Sequence, residues 1–189
     1  EPLNVVFVGS YENIASAAAR RGYRRVQADE AVGQLAFGRP PDAVASKRAQ
    51  AGAPANCVRL WSAPVRLQGQ PVFVVQVGRP VGGRFLPEAS DARRLHPDVD
   101  EARNLFVQDM MYSGGLERLG FVTGVGAVPR AQPRLASDGA SYFTDGLRAV
   151  LFFATRPLTI SDVHLLDWEP LLDEHEPTGP QERARAVQD

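Results

Sequence analysis

The sequence predicts a single α+β domain with a mixed, largely antiparallel sheet flanked by helices. Three observations lead to this prediction: a valine-rich run followed directly by a helical pattern, a hairpin pattern in the middle of the chain, and a strongly periodic helix after residue 96. With 189 residues and an apolar fraction of 44%, the chain has the length of one domain with a tail. We expect the domain to span residues 1–175, and the polar, aperiodic residues 176–189 to form a flexible C-terminal tail.

The first unit is a buried strand that leads into a helix. Leu3 to Gly9 is a short valine-rich run, which is typical of a strand covered on both faces. Ser10 is a favourable N-cap for a helix over Tyr11–Arg21, and Gly22 ends that helix. Gly9 and Ser10 thus form a candidate phosphate site, because N–H groups at a strand-to-helix turn can bind anions. The alternative is that Ser10 is a plain N-cap, since the sequence lacks the full glycine fingerprints of nucleotide-binding loops.

A basic string surrounds the end of this helix and consists of Arg20, Arg21, Arg24 and Arg25. Cations near a helix C-terminus are favoured by the helix dipole, so stabilisation of the helix is one interpretation. Contact with an anion or a lipid headgroup is the alternative. Lys47 is the only lysine among the 21 basic residues, and this arginine bias weakens any argument from a single arginine.

The middle of the chain reads as strands and turns. Tyr23–Val26 is a candidate second strand, and the two prolines in the run from Phe37 to Asp42 predict a rigid turn. Cys57–Leu67 and Pro71–Val77 are predicted to form a β-hairpin around the turn Gln68-Gly69. Residues 78–95 are rich in Gly, Pro and Arg, and we expect a long loop there.

Pro97–Tyr112 is the clearest helix. Val99, Ala102, Phe106 and Met110 recur at helical spacing, so we expect this helix to pack on the sheet through that face. After it, the pattern predicts a glycine-interrupted strand over Phe121–Val128. It then predicts a second hairpin, in which Asp145-Gly146 joins Ser141–Phe143 to Arg148–Ala154.

Charged residues cluster at the start of this helix, where Asp98, Asp100 and Glu101 follow His96 and precede Arg103. Acidic side chains in a first helical turn cap free N–H groups, and Asp100 and Arg103 have the spacing of an ion pair. A ligand-binding role and a divalent metal site on His96, Asp98 and Asp100 are the alternatives. With the arginines of the preceding loop, the candidate binding surface consists of Arg79, Arg84, His96, Asp98, Asp100 and Arg103.

Composition excludes several classes of function. The net charge of −1 provides no field for nucleic acid, so no nucleic-acid partner is expected. The lone Cys57 excludes an internal disulfide framework and is read as a packed thiol. No serine lies in a G-x-S-x-G elbow, and catalytic residues are therefore left unassigned.

No apolar run approaches the roughly 20 residues of a membrane-spanning helix. The chain begins at Glu1, which leaves open a preceding signal peptide or membrane segment.

The order of motifs resembles the LssY C-terminal domain family of bacteria over roughly residues 2–130. The motifs that carry the resemblance are Pro2 to Ser10, Phe37-Gly38-Arg39-Pro40 with Asp42, Val58-Arg59-Leu60-Trp61, and His96-Pro97-Asp98-Val99-Asp100 with Arg103 and Asp109. Domains of this family occur attached to, or encoded beside, membrane proteins. The resemblance therefore implies association with the bacterial envelope through segments absent from this chain, with a cytoplasmic location as the alternative.

Two hypotheses about function follow. The first is a non-catalytic accessory or interaction domain, without a cofactor, that binds an envelope or membrane protein or a covalently attached membrane domain. The second is a metal- or phosphate-dependent hydrolase that acts at the His96, Asp98 and Asp100 region. The oligomeric state is left open by the sequence.

Overall fold

A computed structural model describes residues 2–26, 35–47, 56–79, 96–136 and 139–167. The helices in this part of the chain are α1 (Tyr11–Arg20) and α2 (Val99–Met111). Its strands are β1 (Val5–Val8), β2 (Arg24–Val26), β3 (Ala43–Ser46), β4 (Cys57–Leu67), β5 (Gln70–Gly78), β6 (Leu116–Thr123), β7 (Arg134–Leu135), β8 (Ser141–Tyr142), β9 (Leu147–Phe153) and β10 (His164–Leu166). A 3-10 turn over Ile160–Asp162 precedes β10.

Eight of these strands form one mixed sheet, in the order β10-β6-β9-β1-β5-β4-β3-β2. Among the described strands, β1–β9 and β10–β6 pair in parallel, and the other neighbours in this sheet pair antiparallel. The α+β class and the largely antiparallel sheet predicted from the sequence are therefore confirmed. The short strands β7 and β8 form a separate antiparallel pair.

The first strand lies in the interior of the sheet, as its valine-rich sequence predicts. β1 pairs with β5 on one side and with β9 on the other. Val5 and Phe7 point to the main core and are at most 1% exposed. Val8 belongs to a second apolar cluster with Val150 and Phe152. Because side chains alternate along a strand, β1 is covered on both faces.

Both helices contribute to the same core cluster on one face of the sheet. Ile14 and Ala17 of α1 join Ala102, Phe106 and Met110 of α2 in this cluster. Phe106 is 1% exposed, and its ring stacks on that of Phe7 at 5.5 Å between centroids. The predicted apolar face of the second helix is therefore confirmed.

The hairpin in the middle of the chain is confirmed as well. β4 and β5 pair in antiparallel register around Gln68 and Gly69, which both adopt positive φ values. Positive φ at both central residues defines a turn whose twist matches that of the strands. Phe37 and Gly38 also both adopt positive φ values, and an antiparallel bridge joins the flanking residues Ala36 and Arg39.

Two predicted elements differ from the observed ones. The strand predicted over Phe121–Val128 is β6, which begins earlier, at Leu116, and ends at Thr123. It ends there because Gly124 and Gly126 have positive φ and turn the chain away from the extended path. The helix ends differ by one or two residues, and Asp98 rather than Pro97 precedes the first helical residue of α2.

The hairpin predicted at Asp145-Gly146 is wrong. β8 pairs with β7, whereas β9 pairs with β1 and β6. Gly146 has a φ of 86°, and a Cβ atom there would lie 2.6 Å from the backbone nitrogen of Ala127. Glycine is required at this position by a close approach to another backbone segment, and no two-residue hairpin is formed.

Some predictions fall outside the described residues. These are most of the long loop over 78–95, including Arg84, and the tail over 176–189 together with the end of the predicted domain. Within the part of the chain that the structure describes, neither helix is long and apolar enough to cross a membrane.

Candidate functional site

The start of α2 is fixed by its own acidic side chain. Asp98 is the N-cap, and its Oδ1 accepts hydrogen bonds from the backbone N–H groups of Asp100 at 3.2 Å and Glu101 at 3.1 Å. His96 accepts at Nδ1 from the N–H of Asp98 at 3.2 Å. The N–H of Phe143 donates to the carbonyl of Pro97 and anchors this helix start to the end of β8. The capping role expected for an acidic residue at this position is present in Asp98.

Asp100 binds the segment that precedes β9. Its carboxylate accepts from the hydroxyl of Thr144 at 2.7 Å and from the backbone N–H of Asp145 at 2.6 Å. Arg103 lies 3.2 Å from the same carboxylate, so the ion pair expected from the spacing of the two residues is formed. Asp100 therefore connects α2 to a segment 44 residues further along the chain.

Arg103 is the most buried charged residue of this region, at 2% exposure. Its Nη1 and Nη2 atoms each lie 2.8 Å from a different carboxylate oxygen of Asp145. Nη1 also donates to the carbonyl of Leu147, and Nε donates to the side chain of Asn104. The hydrogen bonds from Arg103 hold the pKa of Asp145 below its usual value. The guanidinium is thus occupied by internal partners and braces α2 against the start of β9.

An exposed group remains beside this brace. Arg79 at the end of β5 donates to Glu101 at 2.9 Å, and His96 Nδ1 lies 3.9 Å from the other oxygen of that carboxylate. The side chains of Arg79, His96 and Glu101 are 33%, 41% and 44% exposed. The backbone N–H of His96 also donates to the carbonyl of Arg79 at 2.6 Å. We call Arg79, His96 and Glu101 the α2-start surface.

The three candidate metal ligands do not converge. The bonded oxygen of Asp98 is directed at the backbone of α2, whereas the oxygens of Asp100 are directed at Thr144 and Asp145. His96 is directed at the N–H of Asp98. Among the residues that the structure describes, no group of three or more His, Cys, Asp or Glu side chains could hold a metal ion.

In the strand-to-helix turn after β1, the polar groups of Gly9 and Ser10 form hydrogen bonds within the domain. The hydroxyl of Ser10 accepts from the N–H of Asn13 at 3.2 Å and so caps α1. The N–H of Gly9 donates to the carbonyl of Pro71. A Cβ atom at Gly9 would lie 3.1 Å from the Cβ of Phe153, so glycine allows close packing against β9. The phosphate site suggested for Gly9 and Ser10 stays a prediction.

The structure also reveals a charged cluster that sequence reasoning missed. Asp109 near the end of α2 accepts from Lys47 Nζ at 2.7 Å to each oxygen and from the Tyr23 hydroxyl at 3.1 Å. Arg21 Nη2 lies 3.5 Å from the same carboxylate. Burial, and then the charge of Asp109, raise the pKa of Tyr23 well above its ordinary value. One signal in the sequence was available: Lys47 is the only lysine of an arginine-rich chain.

A surface cavity of about 310 Å³ lies beside β6 and β10. Its charged lining residues are Glu117, Arg156, Asp162 and His164. Hydrogen bonds from the backbone and hydroxyl of Thr159 lower the pKa of Asp162. The lining therefore mixes both signs of charge and does not favour one class of ligand.

Two further residues singled out by the sequence, Trp61 and Cys57, lie in β4. Trp61 is 1% exposed, and its indole N–H donates to the carbonyl of Arg39 at 3.1 Å. Cys57 is half-buried at the start of β4. Neither residue lies in the brace at the start of α2.

Fold and site together define a two-layer α+β domain whose second helix carries a braced, charged start. The chain belongs to the LssY C-terminus family, because the sequence profile of that family matches residues 31–147, which is more than half of the chain. The matched region contains α2 and its charged start, while β1, α1 and β2 precede it. No curated protein and no solved structure gives a significant match to this chain.

Proposed function

We propose that this chain is a non-catalytic interaction domain of a bacterial envelope-associated protein, and that it binds its partner through the α2-start surface. The envelope setting rests on the family, whose domains occur attached to or beside membrane proteins. The partner is then an envelope or membrane protein, or a membrane domain of the same polypeptide.

One observation carries the proposal, namely the division of the candidate residues into two groups. Asp98, Asp100 and Arg103 form internal bonds, and Arg103 is almost fully buried. Arg79, His96 and Glu101 lie on the surface next to them. A binding surface needs exposed groups held on a rigid support, because ordering mobile side chains costs affinity. The brace provides that support.

The hydrolase alternative needs a different arrangement. A metal centre requires several oxygen or nitrogen ligands around one point, with an open position for water or substrate. Asp98 and Asp100 instead accept hydrogen bonds from the helix N-terminus and from Thr144 and Asp145. Recognition by the exposed side chains is therefore the function that this geometry supports best.

Charge reversal of the exposed pair tests the proposal. We expect Arg79→Glu and Glu101→Arg each to abolish complementation of a deletion strain by the full gene product, while the melting temperature of the domain stays unchanged. Arg66→Glu on the β4–β5 hairpin is the matched control, since Arg66 is also exposed. The double variant Arg79→Glu/Glu101→Arg restores the ion pair between the two residues but presents reversed charges to a partner. Recovery of function in the double variant would contradict a recognition role.

Calorimetry with zinc, manganese and magnesium tests the alternative function, a metal-dependent hydrolase. We expect no heat of binding from the purified chain with any of the three ions. Heat that disappears in His96→Ala would instead favour a metal enzyme.

A further inference from the structure

The opposite end of α2 carries a second charged surface, which the proposed function does not use. Asp109 lies eleven residues after the N-cap of a helix that rises about 1.5 Å per residue, so the two ends are about 16 Å apart. Arg21 and Lys47 contact Asp109, and Arg25 lies on the neighbouring strand β2. We call the side chains of Arg21, Arg25 and Lys47 the basic corner.

The basic corner is assembled by the register of β2 and β3. Arg25 pairs with Ala45, and Ala45 packs against the main core on the helix face of the sheet. Because alternate residues of a strand share a face, Arg25 and Lys47 lie on this same face. Arg21 reaches it from the C-cap of α1.

Several donors in the basic corner have no partner among the residues that the structure describes. The Nε atom of Arg21 is buried without a hydrogen-bond partner, and its Nη2 atom is 3.5 Å from Asp109, at the limit of a hydrogen bond. Lys47 has three N–H donors and uses two on Asp109. The exposed side chain of Arg25 has no bonded partner among the described residues.

The neighbouring arginines of the basic string are used differently. Arg20 donates to the carbonyl of Ser113, and Arg24 donates to the carbonyls of Ala19 and Tyr23. The Arg24 bonds satisfy carbonyl groups at and just after the end of α1, as the helix-stabilising interpretation expects, whereas Arg20 joins α1 to the residues after α2. The side chains of Arg21 and Arg25 make no such bond to a carbonyl group among the described residues.

Charge balance indicates the kind of ligand. Arg21 and Lys47 contact the carboxylate of Asp109, and Arg25 adds a third cation on the same face of the sheet. The described part of the corner therefore carries an excess of positive charge. Arginine forks and a lysine ammonium are the groups that proteins use to bind phosphate oxygens. Lys47 rests over the ring of Tyr23 at 5.7 Å from its centroid, which fixes the position of its ammonium group.

We propose that the basic corner binds a phosphate group at Arg21, Arg25 and Lys47. The phosphate oxygens accept from the free donors of the three side chains, while Asp109 keeps Lys47 and Arg21 in position. A soluble phosphate and a phospholipid headgroup share this chemistry, and the experiment separates them.

The test uses the full chain with two probes. Inorganic phosphate is titrated by NMR, and cosedimentation is measured with phosphatidylcholine vesicles that contain or lack phosphatidylglycerol. We expect binding to at least one anionic probe, and weakening of about tenfold in Arg21→Gln/Arg25→Gln, because charge-assisted hydrogen bonds are lost. Binding should also fall as salt is raised.

The control is Arg66→Gln/Arg134→Gln, which removes two exposed arginines from other parts of the domain. This variant should bind like the unaltered chain. Binding of inorganic phosphate would show that a soluble phosphate is enough to occupy the site. Binding only to vesicles that contain phosphatidylglycerol would show that the ligand is a phospholipid headgroup. The proposal is overturned if neither probe binds, or if both double variants bind equally well.

Discussion

The guanidinium of Arg103 and the carboxylate of Asp145 form a paired hydrogen bond, with two contacts of 2.8 Å. The pair joins the middle of α2 to the residue that precedes the turn into β9. Arg103 is 2% exposed, whereas the side chain of Asp145 is 43% exposed. One end of the pair is thus fixed inside the domain and the other reaches the surface.

Replacing Arg103 by alanine is expected to destabilise the domain. The change removes the contacts to Asp145, Asp100 and Leu147. It also removes the guanidinium that lies over the ring of Phe121, at 5.5 Å from its centroid. We expect the free energy of unfolding to fall by roughly 2–3 kcal/mol. This is at or below the lower end of the range for broken buried ion pairs, because water can still solvate the carboxylate of Asp145. Urea denaturation measures the change, with Arg66→Ala as the control. A loss below about 0.5 kcal/mol, typical of surface substitutions, would show that the brace does not stabilise the fold.

The same pair predicts how stability depends on pH. The pKa of Asp145 is lowered in the folded state, chiefly by the hydrogen bonds from Arg103. A lowered carboxyl pKa contributes stability above its unfolded value of about 3.9, and this contribution is lost as the pH falls through the folded value. In Asp145→Asn, unfolding free energies measured from pH 6 downward should therefore be lower near neutrality and approach those of the unaltered chain in acid. A gap of constant size at all pH values would contradict the assignment.

The aromatic core of α2 gives a prediction with a matched control on the same helix. Phe106 contacts Phe7 and Tyr23, at centroid distances of 5.5 and 5.3 Å. Phe106→Ala should cost about 3–5 kcal/mol, the range for removal of a buried aromatic ring. Leu105 is 42% exposed, so Leu105→Ala should cost far less. Equal losses in denaturant melts would mean that the buried face of α2 is misassigned.

The N-cap of α2 separates capping from ligand binding at Asp98. Asp98→Ala should cost about 1 kcal/mol, because two backbone N–H groups lose their acceptor. Asp98→Ser should recover most of this loss, since a hydroxyl caps nearly as well. If both variants keep full stability and yet abolish complementation, Asp98 contacts the partner instead of capping the helix.

Local patterns in the sequence account for much of the fold. The turn residues Gln68 and Gly69 predicted the β4–β5 hairpin, and the apolar spacing of α2 predicted its buried face. Both depend on residues close together in the chain. The pairing of β1 with β9 joins Val5 to Ala149, and no local signal specifies it. The Asp145-Gly146 dipeptide led to a wrong hairpin prediction. Its glycine is required by the close approach of Ala127, and this tertiary contact is not specified by the local sequence either.

In the candidate site, too, contacts between residues close together in the chain were predictable, and contacts between distant residues were not. The cap at Asp98 and the pair between Asp100 and Arg103 follow from spacings of a few residues and were predictable. The contact from Arg103 to Asp145 spans 42 residues, and that from Lys47 to Asp109 spans 62. Such contacts depend on the arrangement of helices on the sheet, which one sequence does not provide.

The central claim is that the α2-start surface binds a protein partner, and crosslinking in cells tests it most directly. A photo-reactive amino acid replaces His96 in the full gene product, and Arg66 in a control, since both side chains are exposed. We predict a discrete crosslink in the membrane fraction from position 96 alone, either to a second protein or to the membrane domain of the same polypeptide, and its loss when Arg79→Glu is added. Absence of any crosslink from position 96, whether between chains or within the chain, an equal crosslink from position 66, or a crosslink that persists with Arg79→Glu would contradict a binding role for this surface.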